Sequence, residues 1–120
     1  MPELITRPAL VEVPGDKLIR EYLGRLATGT DAASLAWMVA PAGWSEPAQT
    51  PEFDEVTLVL RGRLRVEHDG GSTDVVAGTA IVTRAGERVR YLVPEGGGGG
   101  AEYIALCLPA FAPELAHREE

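Results

Sequence analysis

Apolar residues come along this chain in short runs separated by Gly, Pro and Asp. "ALVEV" (9–13), "KLIREYLGRL" (17–26) and "ASLAWMVA" (33–40) are followed by "EVTLVLRG" (55–62), "RLRVEHD" (63–69) and "STDVV" (72–76). "TAIVTR" (79–84), "RVRYLV" (88–93) and "EYIALCLP" (102–109) complete the series. That spacing predicts an all-β sandwich or barrel. "RLRVEHDGGSTDVV" reads as a hairpin, with Leu64, Val66 and His68 on one face and Asp69-Gly70-Gly71 supplying a positive-φ turn. "KLIREYLGRL" carries two periodicities. Leu18, Tyr22 and Leu26 recur every four residues as in a helix, but Ile19, Glu21 and Leu23 alternate and Gly24 weakens a helix, which favours a strand. Trp37 and Met38 fall on opposite faces of their strand, with Trp37 expected to pack into the core.

"PELAHREE" (113–120) predicts a short C-terminal helix opened by Pro113. The five glycines 96–100 predict a mobile loop tip; a phosphate cradle is the sharper alternative, but neither a helix start nor Lys-Ser/Thr follows. The whole, 1–120, reads as one domain: N-terminal strands over 1–32, a barrel core over 33–108 and a tail over 109–120.

A net charge of −7 and the lack of a concentrated basic patch argue against nucleic acid as a partner. Cys107 is alone, so an intrachain disulfide is ruled out. "MPELITRPAL" lacks the features of a signal peptide, and apolar runs stay short of the roughly 20 residues a membrane helix needs. A cytoplasmic protein with no membrane partner is the expectation.

Two spaced frames resemble the motifs of the cupin superfamily. The first cupin motif runs Gly, five residues, His-any-His, three or four residues, Glu, six residues, Gly. Here Gly43, Glu55 and Gly62 keep the frame, while Gln49 and Pro51 stand at the two histidine positions. The second runs Gly, five residues, Pro-any-Gly, two residues, His, three residues, Asn. Gly78 and Gly86 keep it, and Val89 and Val93 stand where histidine and asparagine would be. The likeness spans 33–108, and "GWSEP" with the "LPAF" ending is similar to small stand-alone bacterial cupins. It implies an all-β, cupin-type double-stranded β-helix (jelly-roll) barrel with a short helical tail.

Cupins that bind metal do so through those histidines and the glutamate. With only Glu55 retained, and His68 and His117 off the ligand positions, neither metal nor cofactor is expected; an atypical set of Gln49, Glu55 and His117 is the competing reading. Period-2 geometry then puts Glu55, Thr57 and Val59 on one inward face and Val89, Tyr91 and Val93 on another. Glu55 and Tyr91 are the candidate catalytic pair, and Gln49, Trp44, Thr57, Val59, Val89 and Val93 the candidate ligand contacts. Glu55 held by Arg88 or Arg90, or by backbone amides, and Tyr91 as a plain core aromatic are the structural alternatives. Arg61, Arg63 and Arg65 read as a solvated face, with a clamp for a substrate carboxylate as the alternative. Cys107 reads as a small buried hydrophobe.

Three functions compete on this reading. A metal-independent enzyme would isomerise, dehydrate or cyclise a small organic substrate through Glu55, as the resemblance to natural-product cupins implies. A non-catalytic module would bind the same small-molecule ligand, and a metal-dependent cupin would use an unusual ligand set. A homodimer joined at sheet edges, with residues 1–26 lying across the partner, is also expected.

Overall fold

A computed structural model describes residues 1–96 and 99–120. Gly97 and Gly98, at the centre of the glycine run, lie outside the described residues. Among the described residues nine strands form: β1 (Ala9–Val11), β2 (Leu18–Leu23), β3 (Ser34–Ala40), β4 (Asp54–Arg61) and β5 (Arg63–His68) come first. They are followed by β6 (Gly71–Val76), β7 (Ala80–Thr83), β8 (Arg90–Leu92) and β9 (Ala101–Leu108), then a one-turn helix α1 (Pro113–Ala116). The chain is nearly all β, as its periodicity predicts. The ambiguous segment 17–26 is strand β2 up to Leu23, and Gly24 (φ 146°) opens the turn after it.

One sheet has six strands in the order β1-β2-β3-β9-β4-β7, the other three in the order β6-β5-β8. Every pairing is antiparallel. The two sheets face one another without being closed into a single hydrogen-bonded barrel among the described residues. Isolated bridges from Ser45 to Leu92 and from Gln49 to Val89 extend the smaller sheet beyond β8. The hairpin of β5 and β6 forms with His68 opposite Gly71, so Asp69 and Gly70 make the turn. Of the expected positive-φ trio only Gly71 (φ 125°), already in β6, has it; Leu64 and Val66 turn inward while His68 stays exposed.

Gly62 carries the chain from the large sheet into the small one. Its φ is 79°, and a Cβ there would stand 2.1 Å from the carbonyl oxygen of Gly100. Only glycine fits that crossing. Between the sheets lies a core of Val59, Tyr103, Leu64, Val66, Val75, Tyr91, Val89, Val93 and Trp44. A smaller cluster of Phe53, Cys107 and Ala116 sits under the C-terminal turn.

Three expectations change. Trp37 faces outward, because its neighbour Met38 takes the inward register opposite Tyr103; the Trp37 indole N–H donates to Glu102 at 2.6 Å and the Arg20 guanidinium covers its ring. The C-terminal helix covers only Pro113–Ala116. His117 ends it at φ 51°, a left-handed stop, and Arg118 then bridges back to Gln49. Finally, residues of the segment 1–26 form β1 and β2 of the chain's own sheet.

The outer face of the large sheet is apolar. Cross-strand pairing aligns Val82, Val56, Leu106, Leu35 and Leu23 in one row, and Ala80, Leu58, Ile104, Trp37 and Arg20 in the next. Among the described residues, no helix is long and apolar enough to cross a membrane.

Candidate functional site

The inner face of the large sheet explains why the molecule is hollow. Reading across β4, β9 and β3, one inward row is Glu55, Cys107 and Ser34, the next Thr57, Ala105 and Ala36, the third Val59, Tyr103 and Met38. Large side chains fill the third row. The small ones of the first two leave a cavity of about 630 Å³, within the range that small ligands occupy. Glu55, Thr57, Tyr91 and Gln49 line it.

Its rim comes from the two ends of the chain. Val11, Glu12, Val13, Pro14 and Lys17 form one side, and Pro113, Glu114, His117 and Arg118 the other. The tail is fixed there by backbone pairing, since the Glu119 amide donates to the Ala48 carbonyl at 2.8 Å. Arg118 donates from Nε to Gln49 Oε1 at 3.2 Å, and its guanidinium lies 3.3 Å from Glu46.

Glu55 carries the sharpest chemistry. Burial pushes its carboxyl up to about 7, reinforced by the nearby Glu46 and opposed by Lys17, Arg118 and Tyr91. Tyr91 OH stands 3.5 Å from Glu55 Oε1, a long contact, and 3.0 Å from Thr83 Oγ1. Burial raises the Tyr91 phenol above its ordinary range, so it serves as a neutral hydrogen-bonding group. Arg88 and Arg90 pair with Glu119 and Glu67 and leave Glu55 to the cavity.

Two further groups face inward with nothing to bond. Thr57 Oγ1 and Tyr103 OH are buried and lack a hydrogen-bond partner, and both residues line the cavity. A buried hydroxyl left unpaired is costly, so such atoms mark where a ligand or ordered water bonds.

Lys17 is not among the expected site residues, although it heads the segment 17–26. It lies immediately before β2, in step with Ile19 and Glu21, which line the same cavity. Its Nζ sits 4.0 Å from the centroid of the Trp44 ring and 5.3 Å from that of Tyr103. Burial lowers its ammonium to about 8 against the pull of Glu46 and Glu55. The signal was compositional: ten arginines and a single lysine make up the 11 basic residues.

The other sequence-predicted contacts are placed elsewhere. Val59, Val89 and Val93 pack in the core between the sheets, away from the cavity lining, because that core is filled by both inward faces. Trp44 is core as well and touches the cavity only through Lys17. Arg61, Arg63 and Arg65 are surface cations paired with Glu102 and Asp74. Cys107 is buried, and burial pushes its thiol up, away from thiolate reactivity.

The donor set does not fit a metal ion. Gln49 Oε1 is taken by Arg118, His117 pairs with Glu52 on the rim, and Pro51 and Val89 offer no side-chain ligand. Among the described residues, no three His, Cys, Asp or Glu side chains are grouped to hold one.

No protein-family profile matches the chain. By sequence, it is 48% identical over 109 residues to a protein of Myxococcus xanthus named endoribonuclease YbeY, a match covering 89% of this chain and 36% of the relative. The chain thus spans about a third of that relative, and the named activity belongs to the whole protein. By structure, it resembles Streptomyces Pac13, described as a unique nucleoside dehydratase (TM-score 0.76, 12% identity, 100% of this chain and 91% of the other). It also resembles the polyketide cyclase RemF of Streptomyces resistomycificus (TM-score 0.69, 19% identity, 96% and 89%).

These findings correct the functional expectation. A small-molecule cupin that isomerises, dehydrates or cyclises an organic substrate, or merely binds one, is overturned by the relative at 48% identity, whose name is that of a nuclease. The same name conflicts with the expectation that nucleic acid plays no part. At the level of fold the chain is like these cupin-like structures, whereas its sequence likeness runs to an endoribonuclease.

Proposed function

We propose that this chain is the nucleotide-reading part of an RNA-acting protein, a pair of facing sheets that takes one nucleoside unit of RNA into its cavity. The observation that carries the reading is the 48% identity over 109 residues, 89% of the chain, to a protein named endoribonuclease YbeY. The cavity supports it. A volume of about 630 Å³ suits one nucleoside, and polar side chains, among them Glu55, Gln49, Thr57 and Tyr91, stand among apolar ones in its lining.

Charge sets the mode of binding. A domain at −7 has no surplus of basic residues to neutralise a long phosphate backbone. Lys17 and Arg118 at the rim suit the phosphate of a single unit, while Glu55, Tyr91, Thr57 and Gln49 face the sugar and base within. Single-stranded RNA offers such splayed units. A solved Streptomyces Pac13 contains uridine, which is consistent with this chemistry on a similar fold.

Membership of the cupin superfamily and its jelly-roll winding belong to the same proposal, supported by the two glycine frames. So does a homodimer, for which the apolar outer face of the large sheet is the surface.

The test is titration of a fluorescent oligouridylate of about six units and of uridine monophosphate at low salt. Binding that weakens in Arg118→Ala and in a variant filling the cavity, Ala36→Phe, is the expected result. Failure of both ligands to bind at millimolar concentration, or binding untouched by Ala36→Phe, overturns the reading.

A further inference from the structure

The only lysine in this chain stands at the rim of the cavity, with its Nζ over the Trp44 ring. Ten other basic residues are arginines, and seven of the ten, Arg7, Arg25, Arg61, Arg63, Arg84, Arg88 and Arg118, are exposed. Arginine holds its charge almost without exception, whereas an ammonium on a flexible stem can lose its proton and act as an amine. We infer that Lys17 is a carbonyl-capturing amine, which forms an imine with an aldehyde-bearing ribose unit of RNA held in the cavity.

The geometry provides each part of that step. Nζ lies between the faces of Trp44 (4.0 Å) and Tyr103 (5.3 Å), in a site lined mostly by apolar groups. Desolvation there brings the amine within reach of its neutral, nucleophilic form near pH 8. Glu55 lines the same cavity and interacts electrostatically with Lys17; its carboxyl changes protonation near pH 7 and can carry the proton. Thr57 Oγ1 and Tyr103 OH, both unpartnered and 1% and 3% exposed, are suited to bond ribose hydroxyls.

The step balances without an oxidant. The Nζ lone pair attacks the aldehyde carbon and a C–N bond forms, while the carbonyl oxygen takes a proton from Glu55. Nζ passes a proton to the hydroxyl, which leaves as water, and a C=N bond remains. The resulting iminium is again a cation, so it keeps the contacts with both aromatic faces.

This inference rests on the nucleotide reading for its ligand and on Lys17 for its chemistry, and one experiment separates the two. The full chain is incubated with an oligouridylate whose terminal ribose has been oxidised by periodate to the dialdehyde, in the presence of cyanoborohydride as the reductant. The expected product is one covalent protein–RNA adduct per chain. It maps to Lys17 by peptide mass spectrometry, is lost in Lys17→Arg and is suppressed by excess unoxidised oligomer. The chain's α-amine serves as the internal control, so the mapping does not depend on any variant folding. If the unoxidised oligomer binds yet the adduct falls on the α-amine or does not form, the lysine chemistry is overturned and the nucleotide reading stands. If glyceraldehyde is trapped at Lys17 while the oligomers do not bind, the amine chemistry holds and the RNA ligand is overturned.

Discussion

Tyr91 OH lies 3.5 Å from Glu55 Oε1 and holds a shorter bond, 3.0 Å, to Thr83. The phenol is therefore anchored on one side and loosely offered to the carboxyl on the other. Its contact favours the ionised carboxylate, in opposition to burial. Tyr91→Phe removes that help and strands Thr83. Glu55 is then expected to titrate still higher than about 7, and the fold to lose about 1 kcal/mol. Carboxyl chemical shifts followed by NMR against pH, with urea melts, check both.

Glu55 also makes folding depend on pH. Folded, it takes up its proton near 7, against an ordinary value of 4.5. Between those values the folded chain binds more proton than the unfolded one. Its contribution is thus full below about pH 4.5 and lost as pH rises through about 7. Glu55→Gln cannot ionise, so relative to the native chain it should gain stability, by about 1–3 kcal/mol, between pH 5 and pH 8. Parallel denaturant curves at the two pH values measure it, and an unchanged difference counts against a buried carboxyl.

How much of this could be read in the residues depends on the kind of pattern involved. Alternation placed Glu55 and Thr57 together on the inward face of β4, and Asp69-Gly70-Gly71 marked the hairpin, because both depend on neighbours along one strand. The cavity itself depends on Ala36, Ala105, Cys107 and Ser34 meeting across strands, which only the register of β3 with β9 reveals. Alternation sets Trp37 and Met38 on opposite faces without saying which faces inward; one residue of register decides it, and Met38, not Trp37, holds the inner position. Lys17 heads the segment read as a strand, in step with Ile19 and Glu21, whereas Arg118 lies outside regular elements; folding brings the two to one rim from opposite ends of the chain.

Arg118 offers a charge test of the nucleotide reading. Its guanidinium, held by Gln49 and Glu46, suits a single phosphate. Arg118→Ala should weaken oligouridylate binding by about tenfold and lower the salt slope of log affinity by about one phosphate. A slope that does not move means that Arg118 meets no phosphate.

Gly62 joins the sheets at φ 79° with the Gly100 carbonyl against it. A methyl group at Gly62 would meet that oxygen at 2.1 Å, backbone against backbone, so neither atom can give way cheaply. Gly62→Ala is expected to cost about 2–4 kcal/mol. Gly78→Ala, also at positive φ but with open space around it, should cost less. Denaturant midpoints of the two variants compare the crossing with simple backbone strain, and equal losses would remove the special role of Gly62.

The outer face of the large sheet predicts association. Leu58, Leu35 and Val82 are 39%, 37% and 47% exposed, and they lie in rows that run across the sheet without a covering helix. Exposed apolar surface of that extent is usual where a partner sits. A second copy meeting it about a two-fold axis would bring like rows together, as isologous contacts require. Light scattering should therefore give twice the 12.8 kDa of one chain. Leu58→Lys leaves the inner core untouched, because the side chain points away from the cavity, and should return the mass to a single chain with an unchanged denaturant midpoint at low concentration. A native mass of one chain would remove the dimer, and with it the role assigned to this face.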